Sequence, residues 1–127
     1  MKNRLPALLR TLCLAALAAT LPACEREAKQ PGALTNEQIT GSVPEVFKGA
    51  DPETRQLAAD VVDAIGKQDY PTAWAKLQEL NGRPGLTDAQ KEFVASSIAS
   101  VGAEVNKAEE TGNEEAQQAL EFHRANK

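Results

Sequence analysis

Three punctuated apolar stripes at helical spacing limit what this chain can fold into. The first opens at Asp51-Pro52-Glu53. Asp51 can accept a hydrogen bond from an unpaired amide, Pro52 suits the first helical position, and Glu53 suits the positive end of the dipole. Leu57, Val61 and Ile65 then recur at steps of four, with Ala58 and Val62 beside them, and Gly66 is placed to end the run. The second stripe opens at Asp69-Tyr70-Pro71 and carries Ala73, Leu77 and Leu80, widened by Trp74. Asn81-Gly82-Arg83-Pro84-Gly85 stops it. The third opens on a capping box, Thr87-Asp88-Ala89-Gln90, in which hydroxyl and amide side chain each bond the other's backbone N–H. Val94, Ile98, Val101 and Val105 follow at steps of 4, 3 and 4, with Phe93 alongside.

This spacing predicts helices over about 52–66, 70–81 and 88–109. Gly102 interrupts the third at ~1 kcal/mol relative to Ala. A close helix approach would explain it, and so would simple tolerance of an exposed glycine. Thr111-Gly112-Asn113 breaks the chain again. Ala116, Ala119, Leu120 and His123 then fall near one stripe with Phe122 adjacent, which predicts a short fourth helix over 113–125. The alternative is that the third helix runs through. No segment alternates apolar and polar residues as a strand would. The expected class is all-α, a small bundle or repeat-like array of three main helices. Its expected core is Leu57, Val61, Val62, Ile65, Tyr70, Trp74, Leu77, Leu80, Leu86, Phe93, Val94, Ile98, Val101 and Val105.

Upstream the signals weaken. Ser42-Val43-Pro44-Glu45, then Val46 and Phe47, offer a turn or two of helix before Gly49. Residues 25–40, EREAKQPGALTNEQIT, are polar and hold Pro31-Gly32, the composition of a linker. The chain therefore divides into a leader over 1–23, a tether over 24–41 and a helical domain over 42–127.

The leader has its own logic. Residues 1–10, MKNRLPALLR, are basic, and 11–21, TLCLAALAATL, are uncharged. That apolar run is shorter than the about 20 residues needed to span a bilayer, so it reads as a secretory signal peptide. Its end, Leu21-Pro22-Ala23-Cys24, resembles the lipobox of bacterial lipoproteins. The resemblance implies cleavage before Cys24 and acylation of its thiol, holding the protein to a membrane of the cell envelope on the periplasmic side. Two or three acyl chains make a durable anchor where one does not. Glu25, where an Asp would favour inner-membrane retention in enterobacteria, implies the outer membrane. The alternative reading is an ordinary secretory signal cut after Ala16-Leu17-Ala18, with Cys24 incidental.

A second resemblance lies in Asp69-Tyr70-x-x-Ala73-x-x-x-Leu77-x-x-Leu80, which is similar to the second helix of a tetratricopeptide repeat. Within residues 52–81 the preceding helix lacks that family's Trp-x-x-Leu-Gly, and Gly66 is set off from Asp69 by Lys67 and Gln68. The resemblance implies one helical hairpin that packs on another protein or peptide, with Tyr70 and Trp74 as the possible interaction surface. The competing reading of both aromatics is core packing.

Charge and residue inventory exclude several classes. After Cys24 is made the first residue, 11 Lys+Arg face 18 Asp+Glu, a formal charge of −7. Such a domain lacks the basic patch that nucleic acid or anionic lipid heads require. Removal of the leader, with Cys13, leaves one cysteine, which precludes an internal disulfide. With a single His, His123, no metal site is expected, and no cofactor is implied. His123 lies near the C-terminus, where a solvated side chain is the default. Ser96, Ser97 and Ser100 have no nucleophile-elbow context. Asp60, Asp63, Glu109 and Glu110 read as solvated helix faces, and Glu114-Glu115 as a favourable helix start. Gly82-Arg83-Pro84-Gly85 lacks the ending of a phosphate loop. No catalytic residue is expected. The expectation is a lipid-anchored envelope protein whose small helical domain is a protein-interaction or accessory module. The alternatives are an envelope enzyme and a structural lipoprotein with no specific partner.

Overall fold

The computed structural model describes residues 32–126. The leader, Cys24 and the start of the tether lie outside the described residues. Five helices follow one another: α1 Asn36–Val46, α2 Pro52–Gly66, α3 Tyr70–Asn81, α4 Asp88–Glu110 and α5 Glu114–Ala125. No strand occurs among the described residues. The helices over 52–66 and 70–81 stand as expected, the third ends one residue later, at Glu110, and the fourth is separate.

The caps explain these starts. Asp51 accepts the Thr54 amide at 3.0 Å and the Thr54 hydroxyl at 2.6 Å. Asp69 accepts the Thr72 amide at 3.1 Å, and Asn113 accepts the Ala116 amide at 2.9 Å. At α4 the Gln90 amide donates to the Thr87 hydroxyl at 3.2 Å, and the Thr87 amide donates to Gln90 Oε1 at 2.9 Å.

Helix α1 differs from expectation. The tether was expected to run to residue 41, with helical signals only from Ser42. Instead α1 starts at Asn36, behind a second capping box built from Thr35 and Gln38. The Gln38 amide donates to Thr35 Oγ1 at 3.2 Å, and the Thr35 amide to Gln38 Oε1 at 2.8 Å. Pro44 lies inside the helix and cannot donate to the Thr40 carbonyl, a defect that costs ~3 kcal/mol in a helix interior. Burial offsets it: Ile39, Val43 and Phe47 are all buried. Each such side chain contributes ~1.5–3 kcal/mol.

The end of α2 also departs from the simple reading. Gly66 is its last helical residue, yet the left-handed position falls on Gln68, at φ 59°. The Asp69 amide donates to the Ala64 carbonyl and the Gln68 amide to that of Ile65, both at 2.9 Å. This is a Schellman ending. The end of α4 repeats it with glycine: Gly112 has φ 86°, its amide donates to Glu109, and the Asn113 amide donates to Ala108. In both turns the last residue of the motif, Asp69 or Asn113, caps the next helix. Helices α2–α3 and α4–α5 are thus joined by the same construction.

Helix α3 is central and packs on α2, α4 and α5, while α1 lies against α2 and α4. Leu57, Val61, Ile65, Trp74, Leu77, Leu80, Leu86, Val94, Val101 and Val105 are buried as expected. Val62, Tyr70, Phe93 and Ile98 are only partly buried at its edge. Ile39, Val43, Phe47, Ala116 and Leu120 join the core from α1, the turn after it, and α5. Polar ties also hold the N-terminal part down. Gln90 Nε2 donates to the Val46 carbonyl at 3.0 Å, and the Leu34 amide donates to Ser100 Oγ at 2.8 Å.

Candidate functional site

The residues singled out in the sequence do not gather in one place. The Tyr70 hydroxyl accepts from Asn36 Nδ2 at 3.3 Å, so Tyr70 works at the junction of α3 with α1. Trp74, one turn later, is 7% exposed and turns its indole toward α4 and α5. Of the two aromatics, Trp74 alone lines the groove described below.

Gly102 decides how α4 meets that indole. A Cβ at Gly102 would stand 3.1 Å from Trp74 Nε1 and 3.6 Å from Cε2. The glycine therefore permits a close approach, and the reading of an exposed, merely tolerated glycine is set aside: Gly102 is buried. The indole N–H is buried there without a hydrogen-bond partner. Its other neighbour is His123, whose ring centroid lies 4.8 Å from that of Trp74 at an interplanar angle of 57°. Gln78 Nε2 stands 3.2 Å from His123 Nδ1. That contact is a hydrogen bond when the neutral imidazole carries its proton on Nε2. His123 is thus a partly buried residue seated on α3, and the expectation of a solvated terminal side chain does not hold.

Around this seat α3 and α5 leave an open groove of about 780 Å³. Pro71, Trp74 and Ala75 form one wall, and Ala119, Phe122 and His123 the other. Phe122 is 73% exposed, the one large hydrophobic side chain among the described residues so displayed. The charged groups along the groove are the carboxylates of Asp69 and Glu115. No known protein family, curated protein or solved structure matches the chain.

Two of the three serines of α4 bond the backbone. Ser97 Oγ donates to the Phe93 carbonyl at 2.8 Å, and Ser100 Oγ donates to that of Ser96 at 3.0 Å while accepting from Leu34. Ser96 is buried. Arg83, in the α3–α4 connection, donates to Glu53 Oε2 at 2.5 Å and lies 3.8 Å from Asp51, so it clips that loop to the start of α2. Among the described residues no group of three or more His, Cys, Asp or Glu is arranged to hold a metal ion. No helix among them is long and apolar enough to cross a membrane.

The groove residues on α5 were half visible in advance. Ala119 and His123 belong to the expected stripe, and Phe122 lies just off it. Their meeting with Trp74 was not visible, because it depends on a tertiary contact between α3 and α5, far apart in sequence.

Proposed function

We propose that this chain is a lipid-anchored protein of the bacterial cell envelope, whose helical domain faces the periplasm and binds another protein. The observation that carries the binding half is the α3–α5 groove, with a well-packed aromatic floor and an exposed Phe122 at its rim. Binding sites favour preformed, mostly apolar concavities with a few polar groups, and this groove has that make-up. The anchoring half is supported by Leu21-Pro22-Ala23-Cys24. The tetratricopeptide-like segment over 52–81, whose family packs on other proteins or peptides, adds to the binding half.

Two experiments test the halves separately. Metabolic labelling with an alkynyl fatty acid should mark the wild-type chain and leave Cys24→Ser unmarked; equal labelling of both would sink the anchor. A photo-crosslinking residue at Gln118, on the groove, should capture a reproducible partner in intact cells. The same residue at Glu104 on α4 should not, since Glu104 does not line the groove. Indistinguishable products from the two positions would remove the binding module.

A further inference from the structure

The charge around the groove narrows what it can receive. Residues 32–126 hold 8 Lys+Arg and 16 Asp+Glu. Among the described residues, the cations on the adjoining segments pair with carboxylates outside the groove. Arg124, the one Lys or Arg of α5, lies 3.6 Å from Glu109 on α4. Lys67, two residues before Asp69, donates to Asp63 Oδ2 at 2.6 Å and is also drawn by the Asp69 charge, which leaves Glu115 as the principal acidic group of the border. Neither lines the groove. The groove thus pairs an apolar floor with an acidic border of Asp69 and Glu115. A second copy of the chain would bring like charge against like charge, which is destabilising. An anionic lipid surface would be repelled for the same reason.

We propose, building on the protein-binding reading above, that the groove receives a cationic amphipathic peptide segment of a partner protein. Its apolar side chains rest on Trp74, Ala119 and Phe122, and its Lys or Arg side chains meet Glu115 and Asp69. Helix-in-groove recognition has this division of labour: anchors at helical spacing supply affinity and flanking charges supply selectivity. The walls belong to two packed helices, so little ordering cost falls on this side of the complex.

Trp74 is the single tryptophan of the chain, so its emission reports events in the groove. The test uses the full-length protein in nanodiscs of zwitterionic phosphatidylcholine, titrated with three synthetic helices. The three share their leucines and carry lysine, glutamine or glutamate at the polar positions. The lysine helix should shift Trp74 emission saturably and bind tightest, more weakly as salt rises. Phe122→Ser should weaken it about tenfold, and Glu115→Lys about fivefold. Both positions are exposed, so the fold survives, which circular dichroism checks. Equal affinity for the glutamine or glutamate helix would overturn the charge assignment while leaving the groove as a docking site. An unmoved Trp74 signal with all three helices, while Gln118 still captures a partner in cells, would overturn the cationic peptide as the occupant and leave the groove as the docking place. A Trp74 shift with anionic vesicles and none with any peptide would replace the peptide by lipid.

Discussion

Gly102 of α4 lies against Trp74 of α3 so closely that a Cβ there would stand 3.1 Å from the indole Nε1. The indole is held on its other side by His123. A bulky residue at 102 must therefore displace the ring or push α4 away. Gly102→Val should destabilise the domain by about 1–3 kcal/mol through overpacking. Gly102→Ala sets ~1 kcal/mol of helix propensity against the same contact. It should gain none of that stability, and it should move Trp74 emission. Urea denaturation measures both; a full ~1 kcal/mol gain for the alanine would mean that the approach is slack.

The two Schellman turns make opposite predictions. Gln68 has φ 59° where side chains are strained, whereas Gly112 has φ 86° and no side chain to strain. Gln68→Gly should stabilise the domain by roughly 0.5–1 kcal/mol, since relief of left-handed strain exceeds the entropy that glycine adds to the unfolded chain. Gly112→Ala should destabilise it by about 1 kcal/mol. Thermal melts of the two variants should move in opposite directions.

Helix α1 stands on its capping box. Removing the Thr35 hydroxyl leaves the Gln38 amide without its acceptor. Thr35→Ala should cost about 1 kcal/mol. Hydrogen exchange should accelerate first in α1, because Pro44 already weakens that helix from within. Thr87→Ala removes the matching cap of α4, which is longer and packs on α3, α1 and α5. Its effect should spread over the whole domain.

Acid should weaken the start of α2 in a defined window. The Thr54 hydroxyl, then the Thr54 amide, hold Asp51 below the usual carboxylate range, with help from the Arg83 guanidinium. A carboxyl with a lowered folded value contributes stability that is whole above the unfolded value of ~4 and is lost as pH falls through the folded one. Asp51→Asn keeps a capping side chain without the charge. Its urea midpoint should track the wild type more closely as the pH is lowered below ~4. A constant gap between the two curves down to ~pH 2 would show that Asp51 carries no pH-linked stability.

The legibility of the fold followed the locality of its causes. Asp51-Pro52, Asp69-Tyr70-Pro71 and Thr87-x-x-Gln90 are local signals, and each marks a helix start. Thr35-x-x-Gln38 has the same form as Thr87-x-x-Gln90 but stands before a segment broken by Gly41 and Pro44. Its apolar face becomes continuous only when Phe47, beyond the helix, packs with Ile39 and Val43. Gly66 drew attention as the stop because glycine is the usual left-handed residue. The hydrogen bonds place that role on Gln68 so that Asp69 can cap α3. His123 needed both Gln78 and Trp74 to become a seated side chain, and neither is near it in sequence. The groove was hidden for the same reason: one wall is on α3 and the other on α5.

The bond from the Leu34 amide to Ser100 Oγ has a mechanical consequence. On the proposed anchoring, tension on the chain enters the domain at Leu34 and passes directly to the middle of α4. Helix α1 is thereby bypassed as the first element to bear load. On that anchoring ten residues, 24–33, separate the lipid from Leu34, and ten residues span at most ~35 Å. The domain's reach toward a partner would then be bounded by that span, with the pull taken up on α4.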